Sequence, residues 1–157
     1  MKCQKKNSYD CALNLLSFRA HTEQELRVKL HKRGYHRDDI ELTVIKLKQY
    51  KILDDRLFAE AYAKSRSQKL LGLNAIRTQL LNKGVGRDII QEIIQKSFDQ
   101  DSEFKKAKRL AVKYMASRKK TAGEDGIKKL AYFLLRKGYS GSVVYKITKT
   151  DVSEVCE

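Results

Sequence analysis

Three glycines, Gly34, Gly84 and Gly138, mark a repeat that limits what this chain can fold into more than any single residue does. The run Leu26-Arg27-Val28-Lys29-Leu30-His31-Lys32-Arg33-Gly34-Tyr35 is echoed by Ile76-Arg77-Thr78-Gln79-Leu80-Leu81-Asn82-Lys83-Gly84-Val85. It returns as Leu130-Ala131-Tyr132-Phe133-Leu134-Leu135-Arg136-Lys137-Gly138-Tyr139. The glycines lie 50 and then 54 residues apart. Apolar residues stand eight and four positions before each glycine, one after it, and six after it, at Ile40, Ile90 and Val144. A period of this length predicts an array of one supersecondary unit. Arrays of that kind present long surfaces to long partners, so a partner-binding face is sought before a catalytic site.

Each repeat reads as three helices. In the first, Ala12, Leu13, Leu15 and Leu16 mark a helix ending near Arg19. Thr22-Glu23-Gln24-Glu25 has the form of a capping box, in which the Thr22 hydroxyl accepts the Glu25 backbone N–H and the Glu25 carboxylate reaches back. The helix carrying Leu26 and Leu30 should close at Gly34 in a left-handed conformation, and Ile40, Val44 and Leu47 define a third helix. The second repeat opens with Asp54 as N-cap, then Phe58 and Tyr62 on one face. After Leu71-Gly72-Leu73, Asn74 is expected to cap the helix of Ile76 and Leu80. The third begins near Ser102, crosses a flexible loop over Thr121–Gly126, and ends in a helix capped by Ser140. The expected fold is all-α, three tandem three-helix modules over 8–52, 53–99 and 100–149, with a polar tail over 150–157. Each module alone buries too little surface for comfortable stability, so neighbours should lean on one another.

The formal charge is +15, from 34 Lys and Arg against 19 Asp and Glu, which predicts a polyanionic partner. The acids are unevenly spread. From Ala61 through Arg87 there are Lys64, Arg66, Lys69, Arg77, Lys83 and Arg87 and no acid. From Lys105 to Lys120 there are Lys105, Lys106, Lys108, Arg109, Lys113, Arg118, Lys119 and Lys120, again without an acid. A merely solvated face usually mixes signs, so stretches like these point to a surface that tracks phosphates. Tyr35, Tyr62, Tyr114 and Tyr139 occupy apolar repeat positions and are expected to pack in cores rather than stack on bases.

No group of residues converges on a catalytic site. His31 and His36 are five apart across a helix-ending glycine, unlike a helical metal pair. The glycine-rich stretches lack the Gly-Lys-Ser/Thr ending of a nucleotide loop, and Asp54-Asp55 is better explained by capping. No catalytic residue, metal or cofactor is expected. Apolar runs such as Leu13–Leu16 are too short to span a bilayer, no secretory signal opens the chain, and three cysteines without CxxC spacing fit a reducing cytoplasm.

The stretch Leu53-Asp54-Asp55-Arg56-Leu57-Phe58-Ala59-Glu60-Ala61-Tyr62, followed by Arg66, Gly72 and the run to Gly84, resembles the most recognisable signature of the RecX family. Ahead of it, Ala12–Leu16 through Thr22–Arg27 resembles that family's first module, with Thr22 where serine is commoner. Behind it, Lys129–Tyr139 resembles the third. The resemblance implies three three-helix modules in an elongated, curved array. It implies a non-enzymatic, monomeric regulator of the recombinase RecA, lodged in the groove of the RecA filament on single-stranded DNA. There it would affect ATPase and strand exchange, usually downward, in recombination and repair. Weak, sequence-tolerant binding of single-stranded DNA would fall to the basic residues named above, of which Arg66 matches the signature most closely. The alternative is a helix–turn–helix DNA-binding regulator. Against it, Arg37-Asp38-Asp39 and Arg87-Asp88 put carboxylates where a recognition helix meets backbone phosphates.

A compact chain of this length should have a radius of gyration of about 15 Å, whereas modules in a row should reach roughly 18–22 Å. Small-angle scattering at the compact figure would contradict the row.

Overall fold

Every second helix of the repeat closes in the way the glycine spacing predicts. In the computed structural model, which describes residues 7–97, 100–117 and 124–149, Gly34, Gly84 and Gly138 have φ of 84°, 82° and 89°. Each glycine N–H donates to the carbonyl three back, in His31, Leu81 and Leu135, at 2.9 Å. The next residue's N–H reaches further into the last turn, Tyr35 to Leu30, Val85 to Leu80 and Tyr139 to Leu134. These paired bonds satisfy carbonyls that a helix end otherwise leaves orphaned.

Among the described residues there are nine helices and no strand. They run α1 Ser8–Phe18, α2 Glu23–Lys32, α3 Arg37–Gln49, α4 Asp55–Gln68, α5 Leu73–Asn82, α6 Arg87–Ser97, α7 Gln100–Ala116, α8 Glu124–Arg136 and α9 Gly141–Lys149. The repeat's apolar positions are its core. Leu26, Leu30, Ile76, Leu80, Leu130 and Leu134 are all buried, as are Ile40, Ile90 and Val144. Helices α1–α3 enclose one cluster around Cys11, Leu15, Leu26, Leu30 and Leu47, and α7–α9 enclose another around Ala107, Leu130, Leu134 and Tyr139. The chain divides into two compact units, 1–61 with 80–90, and 62–79 with 91–157. The helices of the middle module therefore contribute to both.

Inside the first unit, the N-terminal turn of α2 meets the closing turn of α5. Thr22 Oγ1 accepts the Glu25 N–H at 3.1 Å, as a capping residue should, and its own hydroxyl donates to the Lys83 carbonyl. The Glu25 carboxylate does not reach back as a capping box would. It accepts from Arg19 Nη1 at 3.0 Å and Lys83 Nζ at 2.7 Å. Gly84 lies against Gln24 so closely that an added Cβ would overlap the Gln24 side chain. Inside the second unit the arrangement recurs one module later. The N-terminal turn of α5 meets the closing turn of α8: Gly72 N–H donates to the Lys137 carbonyl at 2.9 Å, and Asn74 N–H to the Gly138 carbonyl at 3.0 Å. A Cβ on Gly138 would overlap Ala75, and one on Gly72 would overlap the Gly138 backbone.

Besides the capping box at Glu25, two expectations need correction. Asn74 is not the cap of α5. That helix begins at Leu73, with the Gly72 carbonyl accepting the Ile76 N–H at 3.2 Å, because the closing turn of α8 already supplies acceptors for its first N–H groups. The loop expected through Gly126 is shorter, since α8 starts at Glu124. Glu124 and Asp125 are favourable at a helix N-terminus, where the dipole is positive. Residues 121–123 and the tail over 150–157 lie outside the described residues. Asp54 caps α4 as expected, accepting from Arg56 and Leu57 N–H at 2.8 and 3.1 Å, and Ser140 accepts the Val143 N–H at 3.4 Å.

A series of glycine substitutions separates conformation from contact. Gly34→Ala meets open space, so left-handed strain alone should cost about 1–2 kcal/mol. Gly84→Ala and Gly138→Ala add overlap with Gln24 and Ala75, for a total of roughly 2–4 kcal/mol. Urea denaturation should give that order, with Gly34→Ala the mildest.

Candidate nucleic-acid interface

Cations on a helix are available to a ligand only where the fold has not already used them. On α4, Lys64 is exposed, and Lys69 is exposed just beyond the helix end. Arg66 is half-buried, its guanidinium lying 4.7 Å from the centre of the Tyr62 ring. The Tyr62 hydroxyl donates to Gln79 Oε1 at 2.8 Å, so the ring that carries Arg66 is itself anchored to α5. Arg77 is exposed on α5. On α7, Lys105, Arg109 and Lys113 are exposed and follow one another at four-residue spacing, which aligns them on one face over about 12 Å. Lys108 is half-buried beside that face. Lys106 points elsewhere: its Nζ donates to Ser67 Oγ at 2.6 Å and ties α7 to α4. All of these lie in the second compact unit.

Lys83 and Arg87 belong to the first unit. Arg87 is exposed at the start of α6. Lys83 is half-buried, its ammonium 2.7 Å from Glu25 Oε1 and 5.7 Å from the Phe58 ring, so it serves the joint between α2 and α5. Burial pushes the Glu25 carboxyl up, but the hydrogen bonds from Lys83 and Arg19 outweigh it and hold the group below its ordinary range. Arg118, Lys119 and Lys120 lie outside the described residues.

The acidic pair of the signature has no catalytic arrangement. Asp54 caps its own helix, while Asp55 turns away and its Oδ1 accepts the Glu23 N–H at 2.8 Å, a second cap on α2. Burial raises the Asp55 carboxyl above its usual range despite that bond. Leu53 is buried in the cluster enclosed by α1–α3. Among the described residues no group of His, Cys, Asp and Glu is arranged to hold a metal ion, and no helix is long and apolar enough to cross a membrane.

The three modules match three family models in order: the first RecX three-helix domain over residues 9–47, the second over 54–94 and the third over 101–148. The chain belongs to the RecX family. A curated relative from Clostridium botulinum, named regulatory protein RecX, is 35% identical over 92% of this chain and 68% of its own length. Another of that name, from Clostridium perfringens strain 13, is 36% identical over 98% of this chain and 72% of its own. The crystal structure of RecX from Lactobacillus salivarius superposes with a TM-score of 0.80, at 26% identity, covering 94% of each chain. The chain is thus an all-α member of a family of regulatory proteins, with three tandem three-helix domains.

Sequence reading grouped Lys83 with the surface cations because spacing does not reveal that Glu25, 58 positions away, stands opposite it. It also passed over Tyr132 and Tyr145, which are 74% and 59% exposed. Their signal was available: residues 126–150 contain no acid.

The two kinds of lysine should behave differently. Lys83→Ala should lower stability by about 1–2 kcal/mol, since it leaves the partly buried Glu25 carboxylate with the Arg19 hydrogen bond alone, while the Thr22 bond to the backbone carbonyl of residue 83 persists. Lys64→Ala and Lys69→Ala should each shift it by less than about 0.5 kcal/mol. A double-mutant cycle with Glu25→Gln should show coupling only for Lys83. Because the folded Glu25 carboxyl is depressed, its contribution is present at neutral pH. It is lost as pH falls through the folded value, so the Lys83 effect should shrink in acid.

Proposed function

We propose that this member of the RecX family lodges in the groove of the RecA filament on single-stranded DNA as a monomer in the cytoplasm, and modulates its ATPase and strand exchange, most often downward. It acts without chemistry of its own. The observation that carries this reading is the pairing of a RecX fold over all three modules with two groups of cations, drawn from acid-free stretches of the sequence, in one compact unit. One is Lys64, Arg66, Lys69 and Arg77; the other is Lys105, Arg109 and Lys113. Lysine and arginine attract phosphates without reading sequence, which suits a partner built on arbitrary DNA. Several modules engaging one filament raise each other's effective concentration. A ligand that prefers one filament state shifts the population toward it by its difference in affinity.

Single-stranded-DNA-dependent ATP hydrolysis by RecA, titrated with this protein, tests the reading, and a flat response at stoichiometric amounts would refute it. The surface is tested by reversing Lys64, Lys69 and Arg77 to Glu, leaving Arg66 on its Tyr62 support. That variant should keep its helical circular dichroism and lose most of its effect on the ATPase. With about five phosphates neutralised, the parent's log K for single-stranded DNA should fall against log salt with a slope near about −3.5. The reversed chain should give a shallower slope. Parent-like ATPase modulation would move the contact surface away from α4 and α5.

A further inference from the structure

Exposed aromatic rings leave a large apolar surface in water, and most tyrosines of this chain avoid that. Tyr139 is buried with its hydroxyl donating to the Leu70 carbonyl at 3.0 Å, and Tyr114 stacks on Phe133 at 4.3 Å between centroids. Tyr132 and Tyr145 do the opposite. They stand 74% and 59% exposed on the last two helices of the second unit. In sequence they sit in a cationic run: from Gly126 to Thr150 the chain carries six cations and no acid. The acids of α8, Glu124 and Asp125, are confined to its first turn, with Asp125 one turn before Lys129. Tyr50 is also exposed, at 63%, but it follows a helix that carries Asp38, Asp39 and Glu41, so its setting is mixed.

Along α8, Lys129, Tyr132 and Arg136 are all exposed and are spaced three and then four residues apart, which puts them on one face. The stripe of cation, ring and cation spans about 10 Å. On α9, Lys149 stands one turn beyond Tyr145 with its Nζ 4.9 Å from the ring centre. Lys128 answers Glu124 at 2.9 Å in an exposed pair of the kind that contributes little, and so does not cancel the stripe.

We infer that the outer faces of α8 and α9 form a stacking site for single-stranded nucleic acid, with unpaired bases on Tyr132 and Tyr145 and phosphates on Lys129, Arg136 and Lys149. Aromatic faces interleaved with cations suit a strand whose bases are free, because every base has a π-face and every link a charge. A duplex keeps its faces stacked internally and would use only the cations. A protein partner that suits this face must be acidic and has no general need for open rings. The site deepens the filament reading and rests on it for the source of the strand. It uses none of the α4, α5 and α7 cations and adds stacking to what they do by charge.

The test uses the full chain and three probes: a fluorescent oligothymidylate, an abasic oligomer of equal length, and RecA filaments in the ATPase titration. The parent should bind oligothymidylate at least about tenfold more tightly than the abasic strand. Because the chain has no tryptophan, tyrosine emission should be quenched on binding oligothymidylate and not on binding the abasic strand. The double variant Tyr132→Ala with Tyr145→Ala should lose at least about tenfold in affinity for oligothymidylate and little for the abasic strand. Tyr132→Phe with Tyr145→Phe should stay within about twofold of the parent. Equal affinity of the parent for both strands, or an Ala variant that binds oligothymidylate like the parent, overturns the site whatever the ATPase does. A flat ATPase titration with ring-dependent strand binding keeps the site and overturns the filament reading instead.

Discussion

The end of one second helix seated on the end of another is the interaction on which the rest of this structure depends. A helix leaves orphan N–H groups at its start and orphan carbonyls at its close. At α5 the two sets meet directly; at α2 the Thr22 hydroxyl makes the contact. The turn that begins α2 finds the carbonyl of Lys83, and the turn that begins α5 finds those of Lys137 and Gly138. Such a joint needs the closing turn to bend sharply, to present its carbonyls outward, and to carry no side chain where the neighbour arrives. Glycine meets all three demands at Gly84 and Gly138, with φ of 82° and 89° and Gln24 or Ala75 where a Cβ would go. Gly34 meets only the first, since nothing lies within contact of it. Its conformation is set by the repeat; its surroundings are not.

The same logic accounts for the signature around Asp54. Leu53 is buried in the cluster of α1–α3 although it precedes the first helix of the next module. Asp54 then starts α4, and Asp55 caps α2 from outside. Three consecutive residues thus anchor the linker to the module behind, start the helix ahead, and bind the N-terminus of a helix that also receives Lys83 from α5. Burial raises the Asp55 carboxyl, and so Asp55 as a lone group costs stability at neutral pH. That cost is offset where the Glu23 N–H would otherwise be left unanswered.

Much of this fold was legible because its determinants are local. Glycine at the close of a helix, Thr22 and Asp54 at the start of one, and apolar residues at helical spacing each act within one or two turns, and each stands where the spacing puts it. Apart from the start of α8, whose signal in Glu124 and Asp125 is local, the misreadings are non-local. Asn74 is a good capping residue by type, but its helix begins one residue earlier because the neighbouring turn already accepts its backbone. Lys83 reads as one cation in an acid-free run until Glu25 is seen opposite it. Lys106 likewise belongs to Ser67 rather than to the α7 stripe. Pattern shows which charges are clustered; only the folded chain shows which are consumed.

That sorting bears on how so basic a chain can be stable and still leave many of its cations exposed. Like charges on one surface repel, and the chain carries a net +15. Some of the cost is removed where cations are built into joints, as at Lys83 with Glu25 and at Arg27 with Glu23 and Glu41. The rest stay exposed; on α7 Lys105, Arg109 and Lys113 stand one turn apart, about 6 Å, where like charges still repel and an incoming anion would relieve them. Arg66 falls between these classes. Resting on Tyr62, which Gln79 holds in turn, it keeps its full charge while losing much of its freedom to move. A guanidinium fixed in advance gives up less entropy when it meets a phosphate than a free lysine does. Among the cations of α4, Arg66 is therefore the one whose loss should weaken binding most per unit of charge, and lysine in its place should not restore it.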